Sequence, residues 1–134
     1  MSAIFNIAIF AMLPGVAHAA PCTEFGVHTV TGTIHRVMFY GPPNFGEDPK
    51  TDQQGFFPVL KLDRAMGMCG KDRDGFAKGP ITARQLQMIF MGGTGFNKRW
   101  YGRHVEVRGD MFAAQTGGHH TPVMLDVGEL RVMP

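Results

Sequence analysis

The stretch Val27–Tyr40 (VHTVTGTIHRVMFY) constrains the fold more than any other part of the chain. It is long and rich in β-branched and aromatic residues, which favours an extended strand. Side chains alternate along a strand, so Val30 and Ile34 share one face while Val37 and Phe39 lie on the other. That change of parity predicts a bulge or sharp bend near His35-Arg36, eased by Gly32. A strand bent in this way can serve two sheets of a small barrel.

Gly41–Gly55 (GPPNFGEDPKTDQQG) reads as a polar, proline-broken loop, and Phe56–Arg64 (FFPVLKLDR) as a second strand with Leu60 and Leu62 on one face. Ala65–Gly79 is glycine-rich and charged, and reads as irregular with a short third strand near Phe76. The period then changes. Ile81, Leu86, Ile89 and Phe90 recur at helical spacing, Thr82 and Gln85 are placed as in a capping box, and Gly92-Gly93 would end the helix. Arg103–Met111 alternates, with Val105, Val107 and Met111 inward. Pro122–Val132 closes the chain with Val123, Leu125 and Val127 inward and a parity shift at Gly128.

This order predicts a mainly β fold: a small five-stranded barrel of the oligonucleotide/oligosaccharide-binding (OB) type, with one helix between strands three and four. The rival is a four-stranded α+β sheet. At 134 residues, with 18 glycines and 9 prolines, the chain suits one turn-rich domain, expected over residues 20–134.

Residues 1–19 read as a secretory signal peptide. An apolar run from Ile4 to Leu13 is broken by Pro14-Gly15, and Ala17-His18-Ala19 supplies the cleavage pattern, although the n-region has no Lys or Arg. The run is too short for a comfortable membrane span. The expectation is a periplasmic or secreted protein with no stable membrane span after cleavage. In an oxidising compartment the two cysteines, Cys22 and Cys69, are expected to form a disulfide. If Val27–Tyr40 pairs antiparallel with Phe56–Arg64 about Phe45-Gly46, the two cysteines fall opposite each other beyond the open end of that hairpin.

The combination TGTIHRVMFYGPPN, VLKLDRAMGMC and YGRHVEVRGDMFAAQTGGHHTPVML resembles an uncharacterised family of small exported bacterial domains. The resemblance spans most of residues 27–132, and the Lys71–Lys78 stretch departs from it. It implies export and a small β-fold, and it brings no established activity.

Three motifs bear on function. The Gly117-Gly118-His119-His120-Thr121 stretch supplies the glycines of a hairpin turn. Its histidines have three readings: they fix the turn, they face a ligand, or they bind metal. Adjacent strand residues point to opposite faces, so both can hold one ion only on irregular backbone. Met66 and Met68, with His119 and His120, are candidate copper or zinc ligands, because thioether and imidazole suit soft and borderline metals. The bland alternative is that methionines fill the core. In Lys98–His104, Arg99, Trp100, Tyr101, Arg103 and His104 interleave bases with aromatics, which suits an anionic glycan or an acidic partner. The alternative places Trp100 and Tyr101 under the barrel end.

Net charge is +2, but residues 61–108 carry ten Lys/Arg against four Asp/Glu. No nucleophile elbow, zinc-protease motif, Walker loop or dinucleotide fingerprint is present. The reading is therefore a non-catalytic binding or accessory module of the cell envelope, with a glycan or protein partner, no nucleic acid and no required cofactor. A copper- or zinc-binding protein and a purely structural interaction domain are the alternatives.

Overall fold

A computed structural model describes residues 21–92 and 95–134; the expected export segment, residues 1–19, lies outside the described residues. The strands are β1 (Thr23–Glu24), β2 (Gly26–Tyr40), β3 (Gln54–Lys71), β4 (Ala77–Ile89), β5 (His104–Ala113) and β6 (Val123–Val132). They form one sheet in the order β1-β3-β2-β5-β6-β4, and a further β3–β4 pairing closes it into a ring.

β2 serves two neighbours, as its length suggested. Its first half pairs with β5, from Gly26↔Met111 to Thr33↔His104, and its second half pairs with β3, from Gly32↔Leu62 to Tyr40↔Gln54. The handover falls on Gly32, where a Cβ would sit 2.2 Å from the Lys61 carbonyl oxygen. The expected bulge near His35-Arg36 is absent, because β2–β3 pairing runs unbroken to Tyr40. The parity change has another cause. Beyond Ile34 the β2–β3 ribbon leaves the main core, and Phe39 and Phe57 meet in a second, aromatic cluster with ring centroids 6.1 Å apart, while His35 is exposed.

The expected helix over Thr82–Phe90 is strand β4, antiparallel to β3 and parallel to β6 at Gln87↔Met124 to Ile89↔Asp126. A register shift between Lys61↔Gln85 and Met66↔Ala83 leaves Arg84 and Gln85 both exposed between buried Ala83 and Leu86. A strand with such an irregularity spaces its apolar residues as a helix does. Among the described residues the only helical element is a 3-10 turn, Lys98–Trp100. Ala65–Gly79 is likewise more regular than expected. β3 runs on to Lys71, and Asp72 closes the turn to β4 by accepting N–H bonds from Asp74 and Phe76 at 3.0 and 2.8 Å.

The Cys22–Cys69 disulfide is present, with Cα atoms 5.7 Å apart. It does not staple the β2–β3 hairpin end, since Gly32 pairs with Leu62 rather than with Val59. It fastens β1 parallel to β3, at Thr23↔Met68 and Glu24↔Cys69. β5 and β6 follow the expected alternation, and the parity shift at Gly128 is a bulge between the Arg108↔Glu129 and Gly109↔Val127 pairs. Val30, Ile34, Leu60, Leu86, Val105, Val107, Met111 and Leu125 form the core.

Candidate functional site

Side-chain alternation places a second buried row on the opposite face from that core. Val59 pairs with Gln87, Gln87 with Met124, and Met124 with Phe112. All four are at most 2% exposed, yet each neighbours a residue of the main core along its strand. The row is covered by the chain between β5 and β6, which carries the paired histidines.

A buried amide fixes this cover. The Gln87 side chain accepts the His120 backbone N–H at 2.6 Å and donates to the Gly118 carbonyl at 3.1 Å. Its backbone N–H donates to Thr121 Oγ1 at 2.8 Å, and that hydroxyl donates to the Val123 carbonyl at 2.7 Å. Burying these polar groups is tolerable because each finds a partner.

The two histidines have separate positions. His119 Nδ1 accepts the Gln115 N–H at 2.9 Å, and the ring meets Phe112 edge-on at 5.4 Å. His119 thus closes its own turn. His120 stacks on Phe39, with centroids 4.7 Å apart and planes 5° from parallel, and lies 4.9 Å from Phe57. Burial, aided by Arg73, pushes the His119 imidazole below its ordinary pKa; burial, aided by His119, does the same to His120.

His120, Phe39 and Phe57 form the floor of a cleft of about 380 Å³. Its walls are the β2–β3 loop, through Pro42, Phe45 and Gln53, with Gln54 at the start of β3, and the β5–β6 loop, through Gly117 and Gly118. Two glycines make room for rings. A Cβ on Gly55 would lie 2.7 Å from the Phe57 ring, and one on Gly117 would lie 3.1 Å from Phe45. The first wall is organised by Asp52, 6% exposed, whose carboxylate accepts the N–H groups of Asn44, Gly46 and Asp48 at 2.8, 2.7 and 3.1 Å. Burial alone would raise its pKa, but these three bonds together hold it below the usual value. No residue lining the cleft carries a formal charge when His120 is neutral. The chemistry on offer is aromatic stacking and apolar contact, with two glutamine amides at the rim.

The other sequence candidates lie elsewhere. Trp100 and Tyr101 are half-buried against the core, where Phe96 touches both rings and Phe90 stacks on Trp100. Arg99 and Arg103 are exposed beside them, and His104 pairs with Asp63 at 2.7 Å. Met68 is fully buried in the core, and Met66 packs against it opposite Ala83. His120 and the two methionines therefore sit in separate environments. Among the described residues no group of three or more His, Cys, Asp or Glu is placed to hold a metal ion. Phe39, Phe45, Phe57 and Gln87 were not singled out from sequence. Only Phe39 carries a sequence signal, the parity change in β2, which reads as a bend instead of a second covered face.

Residues 85–131 match the model of an uncharacterised family, described as a domain of unknown function (DUF4431). This span runs from Gln85, within β4, to Arg131 in β6 and includes Gln87, His119 and His120. No curated protein and no solved structure matches the chain.

Proposed function

We propose that this chain is an exported, non-catalytic binding module whose ligand seat is the Phe39–Phe57–His120 cleft. The ring β2-β3-β4-β6-β5, with its antiparallel and single parallel pairings, fits an OB-like barrel in which β2 is the shared first strand. In that architecture ligands are taken between the loops that follow the first strand and precede the last. The cleft lies between the corresponding loops, and this coincidence carries the reading. The disulfide and the signal-like N-terminus support an oxidising compartment outside the cytoplasm.

The neutral aromatic lining favours an apolar group of a protein partner over an anionic glycan. Exposed Phe45 and Phe56, 53% and 47% accessible, extend the apolar surface around the ribbon, as interaction surfaces do. The test is an NMR titration of the ¹⁵N-labelled oxidised chain with p-cresol, a small aromatic probe. Shifts confined to Phe39, Gly55–Phe57 and Gly117–His120 are expected. Shifts confined to Phe96–Tyr101, or none at all, would overturn the reading.

A further inference from the structure

The ribbon beneath the cleft has two lateral edges, and only one is blocked. β2 parts from β5 after Thr33↔His104. Ile34 still exchanges bonds with the Gly102–Arg103 segment, at 2.8 and 3.1 Å. Beyond it, among the described residues, no strand pairs with β2 on that side.

The phase of the ladder shows which groups face out. Gly41 N–H donates to the Gln53 carbonyl, so odd-numbered residues of β2 bond to β3 and even-numbered ones turn away. Pro58, which has no N–H, stands opposite Arg36, as this phase requires. Arg36, Met38 and Tyr40 therefore point their N–H and C=O groups outward, and no loop or side chain among the described residues bonds them. The other edge, along Gln54–Pro58, is interrupted by Pro58, a common device for closing an exposed edge. The β2 edge has no such device.

An open edge of alternating donors and acceptors is matched by an extended polypeptide backbone. Charge narrows the occupant. Arg36 is the one charged residue of Ile34–Tyr40; it is basic and exposed, and its guanidinium lies 3.7 Å from the centroid of the Phe56 ring. We propose that Arg36–Tyr40 is a strand-addition site for an extended segment of a partner protein. Its backbone pairs with the outward groups of Arg36, Met38 and Tyr40. One apolar side chain enters the cleft, and a flanking acidic residue meets Arg36. This inference rests on the cleft being the ligand seat.

The experiment is selection from a phage-displayed library of random 12-residue peptides on the oxidised chain. The chosen peptide is then measured against Met38→Pro and Phe57→Ala. Met38→Pro removes only an outward N–H, so the β2–β3 ladder survives and p-cresol binding is retained. At least tenfold weaker peptide binding to both variants is expected. In the wild type, exchange of the Arg36, Met38 and Tyr40 amides should slow at least tenfold on peptide addition, a readout that does not depend on how Met38→Pro folds. Unchanged exchange at these three amides, or failure to select any peptide, overturns strand addition while p-cresol binding still reports on the cleft. A wild-type dimer that Met38→Pro makes monomeric also overturns it, assigning the edge to a second copy of the chain.

Discussion

Replacing Gln87 by Met tests whether one buried amide holds the β5–β6 loop over the sheet. Methionine matches glutamine in length but neither donates nor accepts strongly, so the apolar row from Val59 to Phe112 keeps its volume. The substitution removes the bond from the His120 N–H and the bond to the Gly118 carbonyl. Each neutral bond contributes about 1 kcal/mol net, so the expected loss is about 2 kcal/mol, and more if the loop groups stay buried and unpaired. For a domain of this size that lowers Tm by roughly 8 °C or more. Chemical denaturation gives the free energy, and amide exchange at His120 locates it. Thr121→Val removes the other link to the Gln87 strand, at its backbone N–H, so the double variant should be non-additive. A loss below about 0.5 kcal/mol with unchanged His120 exchange would refute the view that this amide fixes the cleft wall, since a lost bond of ordinary strength exceeds it.

Three further outcomes follow from the same geometry. Both paired histidines are held neutral in the fold, so the unfolded chain takes up protons first as pH falls through about 6.5. Their contribution is fully present above that pH and declines as pH falls toward their lower folded values. A pH series of denaturation curves should flatten over this window in His119→Ala/His120→Ala. The lowered Asp52 carboxyl works at lower pH: its contribution is present above about 3.8 and is lost as pH falls through the folded value. Asp52→Asn should speed amide exchange at Asn44, Gly46 and Asp48 and weaken p-cresol binding. Cys22→Ser/Cys69→Ser opens a cross-link between residues 47 apart, and denaturation should show a loss of about 4 kcal/mol on the chain-entropy model.

Much of this fold was legible where strands are covered on one face only. Leu60–Asp63 of β3, His104–Arg108 of β5 and Leu125–Gly128 of β6 announce themselves by alternation, and Gly128 by its break in parity. β4 was not legible, because it faces the main core through Leu86 and Met88 and the second cluster through Gln87. A strand buried on both faces loses its alternation, and the register shift beside Ala83 then imitates a helix. The cleft was half legible. The histidine pair marked the β5–β6 loop, where both residues lie on non-strand backbone and take separate partners, the Gln115 N–H for His119 and the Phe39 ring for His120. The aromatic floor was hidden because Phe39 and Phe57 meet His120 only through β2–β3 pairing and the folded loop. No local pattern encodes that meeting. The Trp100 cluster shows the converse, since a conspicuous local pattern packs mainly on its own neighbours.

A photo-crosslinking amino acid placed at Gln54, on the cleft rim, compared with one at Arg99, beside the Trp100 cluster, tests the central claim most directly. Each variant would be irradiated in the intact cell and the adducts identified by mass spectrometry. The account predicts a protein adduct from position 54, lost with Phe57→Ala, and none from position 99. An adduct from position 99 alone would contradict it and move the binding face to the Lys98–His104 surface.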